Sequence, residues 1–202
     1  MVHDAGIAPD DRVVEFGAGS GTLTDALART GAHVLAIELD PELANVAARR
    51  FASTRNVAVL CADATSLPLP TTPYRVLANP AWNTTAATLH HLLDDPTGGL
   101  ERADLVVQWQ VARARAQPTD LLGAIWDPWW EFRRGRRIPA ALFRPAPSVD
   151  AAVLIVTRRA DPLLPVGEFV RHAAFLRGEF ARGRATAGSR PLGGDGSAGR
   201  GP

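Results

Sequence analysis

The chain has 202 residues, 46% hydrophobic and 21% charged, with a net charge of +1. That size and composition predict one main buried core, and no apolar run reaches the ~20 residues that span a bilayer. A single cysteine, Cys61, excludes a disulfide framework and a cysteine-built zinc site, and the first residues lack a secretory pattern. A cytoplasmic protein is therefore expected, with Cys61 as a small buried hydrophobe.

Along the chain, Arg12–Phe16 reads as a strand that runs into Gly17-Ala18-Gly19-Ser20-Gly21. Such a turn lets backbone approach a ligand and aims helix N–H groups at it. A dinucleotide fingerprint would place glycine where Thr22 stands, and a phosphate-binding loop would need a lysine, of which the chain has none. Leu23, Leu27 and Ala28 then form a helical stripe closed by Gly31, followed by a strand over His33–Glu38. Pro41 opens a second helix carrying Leu43, Val46, Ala47 and Phe51. Further strands are expected at Val57–Cys61, Arg75–Ala78 and Asp104–Gln108, with His90 and His91 in a helical stretch between the last two. Strands alternating with helices predict an α/β fold: a parallel sheet flanked by helices, with ligands at the carboxyl ends of the strands. After Pro118 the pattern turns strand-like and aromatic and ends in the apolar run Ala151–Val156. A short helical segment from Phe169 to Phe180 and a Gly, Ser and Arg tail from about Gly183, expected to be disordered, complete the chain. The division is thus 1–160, 161–182 and 183–202.

Glu38 closes an apolar run some twenty residues after the glycine turn, where a carboxylate can accept both hydroxyls of a ribose. Asp63, at the end of the third strand, is placed to accept from an adenine amine between Leu39 and Ala64. Asp63 also suits a turn and Asp40 a helix cap. Asn79 follows the fourth strand, and its amide oxygen together with the Pro80 carbonyl can hold an amine with its lone pair aimed at an electrophilic methyl. Trp82 offers a face on which an extruded base can stack. Adjacent His90 and His91 point to different faces, so no metal is expected, and no Gly-x-Ser-x-Gly elbow is present. These features fit an enzyme that methylates an amine.

Charge is uneven. Residues 1–100 hold 6 Arg against 11 acids, and residues 101–202 hold 16 Arg against 10 acids. Arg133, Arg134, Arg136, Arg137 and Arg144 crowd one stretch, which reads as a surface for RNA phosphates or, alternatively, as a solvated loop.

Glu15 through Gly21, then Glu38, Asp63, Asn79-Pro80-Ala81-Trp82 and Phe143-Arg144-Pro145-Ala146-Pro147-Ser148-Val149-Asp150 follow one another in an order that resembles the rRNA adenine N(6)-methyltransferases. That group includes the erythromycin-resistance methylases and the small-subunit rRNA adenine dimethylases. The resemblance implies a Rossmann-like methyltransferase sheet with a small C-terminal helical appendage. It also implies S-adenosyl-L-methionine as cofactor, held by Glu15, Gly17, Gly19, Gly21, Glu38, Leu39, Asp63, Ala64 and Asn79. On the acceptor side it implies Asn79, Pro80, Trp82 and Phe143, with Phe143 facing Trp82 across a flipped adenine. Gln108 falls where the family keeps a glutamine after its fifth strand. The chain departs from the family pattern in Ala81 and Trp82, where a proline and a Tyr or Phe are usual, and in Trp109-Gln110, where a charged pair is common. The family's Gln-Asn-Phe segment upstream of the glycine turn is not in the chain, so either the start lies further upstream or the cofactor lid is missing, with loose methionine binding and low turnover then expected.

The brief C-terminal segment and the stretch from Trp129-Trp130 to Arg137-Ile138-Pro139 resemble actinobacterial resistance methylases. That implies methylation of large-subunit (23S) rRNA and macrolide-type resistance, by a monomer whose partner is ribosomal RNA, without membrane or metal. A small-subunit dimethylase and a noncatalytic RNA-binding relative remain open as alternatives.

Overall fold

The computed structural model describes residues 1–117 and 120–188, with side chains as far as residue 182. Seven strands form one sheet in the order β3-β2-β1-β4-β5-β7-β6. They are β1 (Arg12–Phe16), β2 (His33–Glu38), β3 (Val57–Cys61), β4 (Tyr74–Ala78), β5 (Leu100–Gln108), β6 (Trp130–Ile138) and β7 (Ala151–Arg158). The pairings from β3 to β5 are parallel, and β7 lies antiparallel between β5 and β6. This is the predicted α/β sheet, and β1, β2 and β3 have the bounds read from their apolar runs.

The helices are α1 (Val2–Ala5), α2 (Thr22–Ala28), α3 (Pro41–Phe51), α4 (Thr85–Leu93), α5 (Trp109–Arg115), α6 (Leu121–Trp126) and α7 (Phe169–Gly188). One core cluster gathers Val14, Val76, Leu105 and Leu154 of the sheet with Leu92, Trp126, Trp129 and Phe169. On the other face Val13, Val34 and Leu77 meet Ala5 and Leu27. Central strands covered on both faces need apolar residues at successive positions, which is why β1 and β4 read as continuous runs. α3 begins where Asp40 accepts from the N–H groups of Glu42 (2.8 Å) and Leu43 (3.2 Å), with Pro41 supplying a helical φ.

Several expectations need correction. Within α3, Ala44, Ala47 and Phe51 are buried, whereas Leu43 and Val46 are exposed. Cys61 is exposed too, because β3 is a sheet edge left partly bare. The segment just after Pro118 is a helix, α6, capped by Asp120 accepting from Gly123 N–H at 2.8 Å. Leu121, Leu122, Ile125 and Trp126 lie one turn apart and build its inner face, so their period is helical. The tail expected from Gly183 lies, from residue 189 on, outside the described residues.

α7 docks on this framework. Phe169 and Ala173 are buried, the Phe169 ring lies 5.3 Å from that of Trp129, and His172 Nε2 lies 3.1 Å from the carbonyl of Ala124.

Candidate active site

Strand order reverses beside β1: the chain steps outward through β2 and β3, then returns to place β4 on the opposite side. Such a reversal opens a crevice at the carboxyl ends of the strands. Register determines what meets there. Phe16 pairs with both Ile37 and Ala78, so Gly17 emerges between Glu38 and Asn79. Glu38 pairs with Cys61, which brings Asp63 two residues beyond the next strand end. Residues spread over more than sixty positions of sequence thus share one mouth.

Gly17 has φ +75°, and a Cβ placed on it would come within 3.4 Å of the Asn79 carbonyl oxygen. Its N–H and that of Ala18 donate to Ile37 O at 2.9 and 3.1 Å, tying the turn to β2. Gly19 N–H donates to Glu38 Oε2 at 2.7 Å, while Asp40 N–H donates to Oε1 at 2.9 Å. Each carboxylate oxygen keeps further acceptor capacity. A Cβ on Gly19, at φ +56°, would meet nothing within 4 Å, so the turn is open on that side. Gly21 differs: at φ +87° it starts α2, and a Cβ there would lie 2.4 Å from Phe51 Cε2. Its bareness is required by packing against α3.

Glu15 is fully buried beneath the turn. Thr24 Oγ1 donates to its Oε2 at 2.7 Å, and Oε1 has no hydrogen-bond partner among the described residues. Burial pushes its carboxyl up to about 7; the Thr24 bond opposes the rise and the charge of Glu38 adds to it. Asp63 is exposed and caps the short turn Ala64–Ser66, accepting from Thr65 N–H at 2.9 Å and Thr65 Oγ1 at 2.8 Å through Oδ1. Those bonds hold its carboxyl below the usual range. Leu39 stands two-thirds exposed beside Glu38, and Ala64 is half-buried. Three carboxylates around an open glycine turn suit a ligand bearing hydroxyls, an amine and positive charge.

On the acceptor side, Asn79 is exposed and Pro80 half-buried at the end of β4, and the half-buried Trp82 opens the short turn before α4. The half-buried Phe143 lies between β6 and β7. Neither ring touches another aromatic ring among the described residues.

The arginine cluster divides. A bulge lets Gly135 and Arg136 oppose one residue of β7, so Arg134 and Arg137 come to the same face. Their guanidinium carbons stand 4.5 and 5.1 Å from the ring centre of Trp109. Arg137 also binds Asp150, and Arg144 donates to the carbonyls of Ala141 and Phe143. Arg133 and Arg136 are exposed, with no hydrogen bond or ion pair among the described residues. The stretch is mostly an edge strand rather than a loop.

Three contributors escaped the sequence reading. Thr24 supports Glu15, Arg50 Nη1 donates to Ser20 O at 3.1 Å and props the turn, and Asp150 gathers several elements at once. Thr24 had a signal, lying on the first turn of the helix that follows the glycine loop, and Asp150 closed the Phe143–Asp150 motif without a role of its own.

A family model described as ribosomal RNA adenine dimethylase matches residues 1–187. An rRNA adenine N-6-methyltransferase of Corynebacterium diphtheriae is 36% identical over 175 residues, 85% of this chain and 68% of that protein. Ribosomal RNA small subunit methyltransferase A of Streptomyces coelicolor is 35% identical over 211 residues, 98% of this chain and 73% of that protein. Among solved structures, the 23S rRNA methyltransferase ErmE aligns with a TM-score of 0.79 at 29% identity, covering 89% of this chain and 74% of that one. Across eight of the curated relatives it matches, the chain spans between 46% and 73% of their length.

Proposed function

The chain belongs to the ribosomal RNA adenine dimethylase family, and from that premise we propose that it transfers a methyl group from S-adenosyl-L-methionine to the exocyclic amine of an adenine in ribosomal RNA. The observation that carries this reading is the register that brings Gly17, Glu38, Asp63 and Asn79 to one crevice. The site suits this cofactor. Glu38 meets ribose hydroxyls, Asp63 and the flanking Leu39 and Ala64 take the adenine, and the open side of Gly19 leaves room for backbone contact. The charge that Glu15 carries above about pH 7 favours a cationic group nearby.

When bound, the cofactor supplies an electrophilic methyl carbon. The chain's own residues orient the nucleophile. The Asn79 amide oxygen and the Pro80 carbonyl accept the two amine protons of the target, which holds the nitrogen lone pair out of conjugation and toward the methyl. Trp82 and Phe143 hold the extruded base by stacking. The lone pair would form the new N–C bond as the methyl–sulfur bond breaks and its electron pair passes to the sulfur, which leaves as the neutral thioether S-adenosylhomocysteine, and the extra amine proton would pass to solvent. Positioning carries most of this chemistry, so no strong base is needed.

Residues 1–160 act as the catalytic unit, and the segment from residue 161 buttresses it through Trp129. Arg133 and Arg136, exposed and without a hydrogen bond or close ion pair among the described residues although Arg136 helps to lower the Asp4 carboxyl, are the arginines best placed for RNA phosphates. The target is an adenine of the large-subunit RNA, which makes the reaction one of macrolide resistance; the likeness to ErmE and to the erythromycin-resistance methylases supports this. The similar identity to a small-subunit methyltransferase keeps the other subunit as the rival target.

The test is methyl transfer from radiolabelled S-adenosylmethionine to separately purified, unmethylated 23S and 16S RNA, followed by mapping of the labelled nucleotide. Label in an adenine of 23S RNA is expected. Label confined to 16S RNA would move the chain to the small-subunit branch, and no label in either would remove the methylase reading.

A further inference from the structure

The ends of three strands meet at Asp150. Gln108 and Ile138 both pair with Ala151, so β5, β6 and β7 all terminate beside this residue. Its carbonyl accepts from Trp109 N–H at 2.9 Å, which fixes the start of α5. Its carboxylate is used at both oxygens: Oδ1 accepts from Ala140 N–H at 2.9 Å and Oδ2 from Arg137 Nε at 2.7 Å, with Arg137 Nη2 forming an ion pair with Oδ2 at 2.6 Å. Ala140 begins the short turn Ala140–Leu142, and its carbonyl accepts from Phe143 N–H at 3.1 Å. Two hydrogen bonds therefore link the Asp150 carboxylate to the backbone of Phe143.

We propose that Asp150 is a positioning residue, which holds the turn carrying Phe143 at the acceptor side of the crevice while Arg137, stacked on Trp109, holds the carboxylate. The proposal rests on the reading that Phe143 stacks on the target adenine. Packing does little to secure the segment: Ala141, Arg144, Pro145 and Ala146 are exposed, Leu142 is 72% exposed, and the remaining bonds, from Leu142 N–H to Pro139 O and from Arg144 to the carbonyls of Ala141 and Phe143, are local. An ionised carboxylate is the fitting group, since an amide has only one acceptor oxygen and cannot serve both the turn and the guanidinium. The same two donors hold the Asp150 carboxyl below its usual range, the Ala140 N–H first and Arg137 after it.

The test uses the full chain with Asp150→Asn, Asp150→Ala, Phe143→Ala and the double variant Asp150→Asn/Phe143→Ala. Three measurements are made: single-turnover methyl transfer to 23S RNA, S-adenosylhomocysteine binding by calorimetry, and chymotrypsin cleavage after Leu142 and Phe143 in the protein alone. Asp150→Asn is expected to slow transfer about tenfold and Asp150→Ala more, in line with the loss caused by small misplacements of a reacting group. Cofactor-product affinity stays within about twofold, because the tether touches no cofactor residue, and the effect of Asp150→Asn on transfer disappears once Phe143 is alanine. Chymotrypsin cleavage in this segment rises in both Asp150 variants; in the Phe143→Ala background it is read after Leu142. Parental cleavage rates in both, or an Asp150→Asn penalty of equal size with and without Phe143, would overturn the proposal. If Phe143→Ala alone transfers at the parental rate, the stacking reading falls and the proposal with it. If the parent transfers no methyl at all, the methylase reading falls separately, and the cleavage rates still decide whether Asp150 tethers the segment.

Discussion

Replacing Glu15 with glutamine should reshape the stability of this protein across pH. Glu15 is fully buried, bonded among the described residues only through Oε2 to Thr24, and its carboxyl rises from an ordinary 4.5 to about 7. Between those values the folded chain keeps a proton that the unfolded chain has released. Stability therefore falls as pH rises through that window and is lowest above it. At about 1.4 kcal/mol per pH unit, the loss between pH 4.5 and 7 comes to roughly 3 kcal/mol. Glutamine retains an acceptor for Thr24 and carries no charge, although its amide nitrogen would occupy the unpartnered place of Oε1 at a cost of about 1–3 kcal/mol. The Glu15→Gln variant is thus expected to be less stable than the parent at pH 5 and more stable, or nearly equal, at pH 8. Its free energy of unfolding should change little between the two. Urea unfolding followed by tryptophan fluorescence at both pH values measures this directly. Parallel pH profiles for parent and variant would refute the reasoning, because Glu15 would then titrate alike in both states. The same variant should bind S-adenosylhomocysteine more weakly at pH 8, where the parent's carboxylate is charged.

Asn79→Ala should leave S-adenosylhomocysteine affinity within a few-fold while lowering single-turnover methyl transfer by about 100-fold, since only orientation of the amine is lost; equal transfer rates would reject the role. Arg133→Ala with Arg136→Ala should reduce the slope of log affinity for RNA against log salt by about 1–2 without changing the melting temperature. Arg134→Ala with Arg137→Ala should instead lower the melting temperature, as the stack on Trp109 is removed, and a larger change in salt slope from this second pair would reverse the assignment. Gly21→Ala, forced against Phe51 at positive φ, should destabilise by about 2 kcal/mol or more, and Gly19→Ala by only about 1 kcal/mol. Gly19→Ala should nevertheless weaken cofactor binding, and calorimetry with intact affinity would place the ligand elsewhere.

Local chemistry made much of this molecule legible in advance. Val13-Val14, Val34-Leu35 and Val76-Leu77 are continuous apolar pairs of a kind that suits strands covered on both faces, and Asp40-Pro41 marks a helix start through donors and φ that one or two residues supply. The glycine turn was equally plain, because positive φ at three positions within five residues leaves few other residue choices. What misled were segments whose surroundings differ from their composition. Cys61 ends an apolar run, yet the strand is an edge. Leu43 and Val46 look like core, but the sheet is approached by the small faces of Ala44 and Ala47. The aromatic stretch beyond Pro118 mixes a helix with a strand, since Trp126, Trp129 and Trp130 are buried by α4 and α7 as well as by the sheet.

The acceptor side shows the division most sharply. The residue types around Asn79 and Phe143, and the acids after successive strands, were set by the order of amino acids alone, because each sits at the end of an element whose period is local. Which arginine stacks on Trp109 was decided by the bulge in β6, and Asp150 acquired its three hydrogen-bond donors only when β5, β6 and β7 closed side by side. Contacts across 10 to 70 residues depend on strand register, and register depends on the packing of the whole sheet, which no short stretch of the chain contains.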